Sequence, residues 1–404
     1  MSSPSPVSGA AAGKLGPAAC MLAMFSALLG STAPSPLYPF YIAHLDLPQV
    51  MGTAIFATYA VGTLCALFLA GAIGSGIRDL RFVLWPGLLI TALGAAIFSH
   101  PDSLWTLLTG RFLNGFGTGL ITGTASTALF ELSHPDKRGR AAMFATLAFT
   151  LGAAGGPLLT ATCLELGLAA TSLPFVIIVG LAVLAMVGLK LAAWPPREPR
   201  TGAGAKAASG ASQGGQLGLY LLACLGLTVA WMLGSLLMAI GTDLGQRAYA
   251  IRSVGLAGMV PALFQLFGGV GQVFWGRSLP LRTLIIGMIG LALAQSILLL
   301  ALPGEHGWIM LAMMPVCGFF YGAAFVSALG IATQAAPPET RANWISRFYV
   351  VGYLSNAVPT VVMGGLIDLI GLSPAFFWFG LVVIGLACLG AALALQSRRA
   401  ALAV

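Results

Sequence analysis

Gly115-Phe-Gly-Thr-Gly119, followed by Pro135-Asp-Lys-Arg138 and Pro157, recurs in altered form as Gly318-Phe-Phe-Tyr-Gly322, Pro338-Glu-Thr-Arg341 and Pro359. The three features repeat at offsets of 203, 203 and 202 residues. A second pair, Gly76 and Arg81 against Gly276 and Arg282, repeats at 200 and 201. Separate features that keep one offset are the mark of a duplicated unit, here about half the chain. The Gly-rich members lie inside long apolar runs, where residues without bulk let helix backbones approach closely in lipid.

Composition says what kind of unit was duplicated. Of 404 residues, 58% are hydrophobic and only 7% are charged. A soluble domain carries about 25% charged residues, so this chain could not cover a water-exposed surface. Disorder is excluded for the opposite reason, since too much apolar area would stay exposed. The six cysteines (Cys20, Cys65, Cys163, Cys224, Cys317, Cys388) all fall in apolar runs and are expected as small core residues, not disulfides.

A spanning helix needs about 20 apolar residues. Runs of that size fall at 17–42, 49–74, 82–99, 104–130, 141–165, 170–193, 217–241, 253–275, 281–302, 307–332, 344–368 and 373–396. The expected fold is an all-α polytopic membrane protein of twelve transmembrane helices in two pseudo-symmetric six-helix bundles. Its parts would be a tail at 1–16, one bundle at 17–193, a linker at 194–216, the second bundle at 217–396 and a tail at 397–404. The linker begins Trp194-Pro-Pro-Arg-Glu-Pro-Arg200 and continues rich in Gly, Ala and Ser, a flexible composition.

The net charge of +8 would by itself suit a nucleic-acid partner. Its placement argues otherwise. Fifteen of the 19 Lys and Arg lie at the termini or on loops of one side, with Arg247 and Arg252 opposite and Arg111 and Arg347 within spans. The positive-inside rule then places both termini in the cytoplasm. The excess is topological, and no nucleic-acid partner is expected. The first run does not read as a signal peptide, because its basic region is a lone Lys14 and its apolar stretch continues through Tyr38 and Phe40.

Charge at depth in hydrocarbon costs several kcal/mol, so Arg111 needs a reason. It lies about 12 Å from the outer end of its helix at 1.5 Å per residue. Asn114, Thr118 and Thr122 follow at i+3, i+7 and i+11 on the same face. That face should line a polar cavity. Further wall candidates are Trp231 and Ser235, aligned with Thr228, then Gln265, Tyr321, and the stripe Tyr349, Tyr353 and Asn356. Arg347 is on the other side of that last helix and can snorkel to the surface. Pro34, Pro36 and Pro39 should break the first helix near its outer third. Gly152-Ala-Ala-Gly-Gly156-Pro157 suits either tight packing or a hinge.

Glu131, Glu165, Asp243 and Asp368 sit near helix ends, and no carboxylate lies at mid-depth. Coupling through an end carboxylate, coupling through a titratable solute, and no coupling all stay open. The sequence has no His-Glu-x-x-His, Gly-x-Ser-x-Gly or P-loop, so no catalytic or metal site and no ATP-driven step is expected. A duplicated helical unit would place a solute site between its halves, reached by rocking one against the other.

The chain resembles the major facilitator superfamily over essentially its whole length. Arg111-Phe-Leu-Asn-Gly115-Phe-Gly117 is similar to the family's helix-4 signature, and Pro135-Asp-Lys-Arg-Gly139-Arg140 to its following loop. Gly152-x-x-x-Gly156-Pro157 resembles the helix-5 signature of exporters. The helix 2–3 loop departs from the pattern, with Ser75 at the Asp position and Arg78 at the second Gly, while Arg78 and Arg81 keep its basic character.

The resemblance implies a secondary transporter with no cofactor, driven by the proton gradient, monomeric in a bacterial inner membrane. It implies coupling or gating roles for Arg111, Arg78, Arg81, Gly152, Gly156 and Pro157. The expected activity is proton-coupled export of a small amphipathic or hydrophobic organic solute. One alternative is uptake of a small organic anion with Arg111 as its charge partner. Another is a transport-inactive sensor or assembly partner.

Overall fold

The computed structural model describes residues 15–73, 79–133, 138–194, 213–304 and 306–402. Among them all regular structure is helical: α1 (Leu15–Thr32), α2 (Tyr38–His44), α3 (Gln49–Ile73), α4 (Arg81–Phe98), α5 (Leu104–Glu131), α6 (Arg138–Glu165), α7 (Leu173–Leu191), α8 (Gln213–Asp243), α9 (Val254–Trp275), α10 (Pro280–Ala301), α11 (Gly307–Ala335), α12 (Arg341–Ile370) and α13 (Leu372–Leu402). Helix α8 starts within the expected linker, and α13 runs through most of the expected C-terminal tail. Arg78 and 195–212 of the linker lie outside the described residues.

The prolines break the first span where expected. Helix α1 stops at Thr32, Ser35–Leu37 form a 3-10 turn, and Pro39 enters the first turn of α2, where its missing N–H is not needed. The two pieces together make one crossing, Leu15–His44.

Eleven helical segments among the described residues are long and apolar enough to cross a membrane. Helix α5, at 28 residues, is not one of them, because Arg111, Asn114 and a run of Thr and Gly dilute its hydropathy. It packs against α1, α3 and α4, which take the place of lipid around it. A capping box starts it: Ser103 Oγ accepts from Thr106 N–H at 3.3 Å, and Thr106 Oγ1 accepts from Ser103 N–H at 2.9 Å.

Helices α5, α6 and α7 surround α1, and α4 bridges α5 and α7. Later in the chain α11 packs on α8, α9 and α10, while α13 packs on α10 and α8. Between these sets α6 runs along α9, and α3 along α12. The 203-residue repeat of Gly115 and Gly318 is also a repeated helix contact. A Cβ on Gly115 would overlap the Tyr59 carbonyl of α3, and one on Gly318 would overlap the Phe264 carbonyl of α9. Not all cysteines are core: Cys65 and Cys388 are exposed on the apolar helix surface, and all six are free thiols.

Alternating helix direction puts the described Arg81, Lys190, Arg277, Arg282, Arg341, Arg398 and Arg399 at one end of the molecule, and Arg247 and Arg252 at the other. We call the first the basic face.

Candidate functional site

A cavity of about 150 Å³ lies at mid-depth between α1, α3, α5, α6, α8, α9, α11 and α12. A wider vestibule of about 410 Å³ shares Phe149, Trp231, Gln272, Phe325 and Tyr353 with it. The vestibule adds Leu67, Thr122, Ser126, Leu329 and Tyr349, all in the halves of their helices nearer the basic face. The space therefore widens toward the basic face.

Arg111 is 2% exposed yet reaches the cavity wall. Its guanidinium carbon lies 5.3 Å from the Phe56 ring centroid and 4.8 Å from that of Tyr59. One terminal nitrogen donates to the Ser31 carbonyl, and Nε has no partner. Ser31 is in the last turn of α1, where carbonyls lose their next-turn donors and the negative end of the helix dipole lies. The proline break thus supplies the oxygen that holds the arginine.

Trp231 forms the neck between cavity and vestibule. Its ring meets Tyr353 edge-on at 5.1 Å, Phe325 at 6.0 Å and Tyr349 at 6.4 Å, and its Nε1–H has no acceptor. Tyr321 stacks on Phe325 with ring centroids 6.4 Å apart. Ser235 lines the cavity, donates to the Met232 carbonyl at 3.1 Å and accepts from Thr360 Oγ1 at 2.9 Å. Gln265 and Asn356 complete the predicted wall. No carboxylate is among the described lining residues of either space.

Two wall candidates are not on the wall. Asn114 and Thr118 are each 2% exposed and covered by α1. Thr118 Oγ1 donates to the Asn114 carbonyl at 2.8 Å and to the Ala27 carbonyl of α1 at 3.3 Å, while Asn114 Nδ2 lies 3.0 Å from where a Cβ on Gly30 would be. Helix α1 crosses directly over this stripe. Only the long Arg111 side chain reaches past the crossing, and the same face emerges again at Thr122 in the vestibule.

The motif residues sit at helix packing contacts or at a loop anchor. Gly152 and Gly156 let α6 approach α1, where added Cβ atoms would fall 2.6 Å from the Phe25 carbonyl and 2.5 Å from the Leu29 carbonyl. Pro157 follows inside the unbroken helix α6. Arg81 binds its near neighbour Asp79, with Nε and a terminal nitrogen 2.9 and 2.8 Å from Oδ2, and lies 5.5 Å from the Trp194 ring. It ties the loop before α4 to the end of α7. The Arg81 guanidinium holds the Asp79 carboxyl below the usual carboxylate range through this hydrogen bond, with slight burial opposing.

Sequence reasoning missed Phe56, Tyr59 and Gln272. Gln272 had a signal, since it follows Gln265 by seven residues on the same helix face. Phe56 and Tyr59 share a face at i, i+3, but nothing in their own helix marks that face as the cation's.

A family model for the major facilitator superfamily matches residues 20–358. The chain belongs to the major facilitator superfamily. It is therefore a multi-pass membrane protein of a transporter family, not an enzyme. A mouse protein, solute carrier family 2, facilitated glucose transporter member 6, is 32% identical over 133 residues, covering 29% of this chain and 26% of that relative. Multidrug resistance protein 3 of Bacillus subtilis is 29% identical over 107 residues, covering 26% of this chain and 21% of that relative. The chain thus spans about a quarter of the length of these relatives.

Among solved structures, a peptide transporter POT aligns over 95% of both chains with TM-score 0.78 and 14% identity. A bacterial homolog of the human lysosomal transporter Spinster, solved inward-facing and unoccupied, aligns over 95% of this chain and 96% of its own, with TM-score 0.72 and 15% identity. A POT family transporter in complex with 5-aminolevulinic acid aligns over 96% and 97%, with TM-score 0.77 and 13% identity. At such identities the likeness of this superfamily member to them is one of fold.

Proposed function

We propose that this chain is a secondary active transporter that exports a small amphipathic or hydrophobic organic solute in exchange for protons. It works by alternating access between two six-helix bundles, 17–193 and 217–396, joined by the 194–216 linker, with twelve spans and both termini cytoplasmic. It acts as a monomer in a bacterial inner membrane.

The observation that carries this reading is the aromatic cavity lined by the buried Arg111 cation, widening toward the basic face. A solute with an apolar body would pack on Trp231, Tyr353 and Phe325 and turn a polar end to Arg111. The short match to a multidrug resistance protein lies on the side of export.

The second reading, uptake of a small organic anion, is favoured by the partnerless Arg111 Nε and the absence of a carboxylate among the described lining residues. A solute screen in inside-out vesicles, with and without an imposed proton gradient, separates the two. Export predicts solute accumulation in the vesicles that collapses with the gradient. Flux indifferent to the gradient removes proton coupling, and selective anion movement out of the vesicles installs the second reading.

A further inference from the structure

The face opposite the basic one is closed by two carboxylates that the cavity does not use. Glu165, the last residue of α6, accepts the Gly255 N–H at 3.1 Å and the Ser253 hydroxyl with the same oxygen. Asp368, near the end of α12, accepts the Gln49 N–H at 2.8 Å and the Val50 N–H at 2.9 Å, one on each oxygen. Each carboxylate therefore caps the first turn of a helix from the other half of the chain, α9 in one case and α3 in the other. The first amides of a helix have no partner within it and carry its positive dipole end, so a carboxylate is the fitting occupant.

The two contacts occupy equivalent places in the repeat. Glu165 and Asp368 stand 203 residues apart, the offset of the sequence repeat, and so do Val50 and Ser253. One turn below each carboxylate lies a close approach at Ala161 and Gly364, again 203 apart. A Cβ on Gly258 would fall 2.9 Å from Ala161 Cβ, and one on Gly364 would fall 2.8 Å from Val50 Cα. Among the described residues no Lys, Arg or His forms an ion pair with either carboxylate. Their recorded partners are helix-start amides and the Ser253 hydroxyl alone.

We propose that Glu165 and Asp368 are the paired latches of the outer gate, and that opening the cavity to the outside requires releasing both. This assigns the end carboxylates to gating and not to proton carriage. The closed gate presents them at the outer surface, where a proton they released would return to the side it came from. The inference rests on the alternating-access reading above but not on the solute or the coupling ion.

The test is site-directed labelling of the full chain in membranes, with the six native cysteines replaced. Ser35→Cys places a reporter in the buried turn between α6, α8 and α9, beneath the gate. Thr122→Cys places one in the vestibule. Glu165→Gln and Asp368→Asn should each raise labelling of the Ser35→Cys reporter by an impermeant maleimide from outside by about two- to tenfold, as for exchanging a charged acceptor at a helix start for a neutral one. The double variant should exceed either. Labelling of the Thr122→Cys reporter from the inside should fall in parallel, whereas unfolding would raise both. Ser253→Ala, which leaves Glu165 in place, should move both reporters the same way by less.

Unchanged labelling in the double variant overturns the proposal even if the chain transports. Opposite movement of the two reporters without proton-driven flux upholds the latches and removes the coupling.

Discussion

The guanidinium carbon of Arg111 stands 4.8 Å from the ring centroid of Tyr59, and its recorded hydrogen bond goes to a backbone carbonyl, Ser31. Burying a cation without a partner is costly. Here two ring faces and the negative end of a broken helix replace the carboxylate, and a desolvated cation–π contact contributes about 2 kcal/mol. The positive charge is thus held without being cancelled. In the proposed function this is the charge that meets a solute's negative or dipolar end.

Arg111→Lys tests whether charge or shape is used. An ammonium keeps the charge but has no planar face to lie on Tyr59 and Phe56, and it is more strongly hydrated. Losing about 2 kcal/mol of stacking would weaken solute affinity by up to roughly 30-fold. Arg111→Ala should weaken it further. Concentration dependence of flux in proteoliposomes gives the order Arg, Lys, Ala; a lysine variant equal to wild type would show that charge alone matters.

Trp231→Phe removes a buried donor that has no acceptor. Deleting an unsatisfied group relieves its desolvation penalty, so the folded protein should lose no more than about 1 kcal/mol despite the smaller ring. Affinity for a solute that accepts a hydrogen bond should fall roughly two- to tenfold, while one without an acceptor is little affected. Paired thermal-unfolding and flux measurements on the two solute types check both halves.

What the sequence exposed and what it hid follow from one distinction. Prolines and glycines act through their own backbone, so Pro34, Pro36 and Pro39 foretold the break after Thr32, and the repeat foretold the matching contacts at Gly115 and Gly318. A helix face, by contrast, reveals that it is polar and not what covers it. Asn114 and Thr118 share Arg111's stripe, yet α1 crosses over them, and only the longest side chain emerges. Phe56 and Tyr59 look like ordinary core aromatics until α5 brings the cation against them. The end carboxylates were visible as Glu165 and Asp368, but their partners are 88 to 319 residues away, and no local pattern names them.

Asp79→Asn should reveal a small, pH-dependent contribution. The hydrogen bond from Arg81 lowers the Asp79 carboxyl in the folded protein. A depressed carboxylate contributes stability above its unfolded value of about 4, and loses it as pH falls through the folded value. With side chains 26% and 35% exposed, the pair contributes less than about 1 kcal/mol. The variant should unfold slightly earlier than wild type at pH 7, with the gap closing as the pH is lowered below about 4. A gap that widened in acid would contradict the assignment.

Gly156→Ala tests the seat of Arg111 from behind. An added Cβ would overlap Thr32 Oγ1 and fall 2.5 Å from the Leu29 carbonyl and 2.6 Å from Ala33 N, all at the point where α1 ends. The last two are backbone atoms, so relief requires α6 and α1 to separate, at about 1–3 kcal/mol for overpacking. Separation moves the last turn of α1, and with it the Ser31 carbonyl that holds the guanidinium. Gly180→Ala, where a Cβ meets nothing within 4 Å, supplies the control for helix propensity. Gly156→Ala should lower the unfolding temperature and flux together while Gly180→Ala lowers neither. Loss of stability with full flux would mean that the arginine does not depend on the α1 terminus for its position.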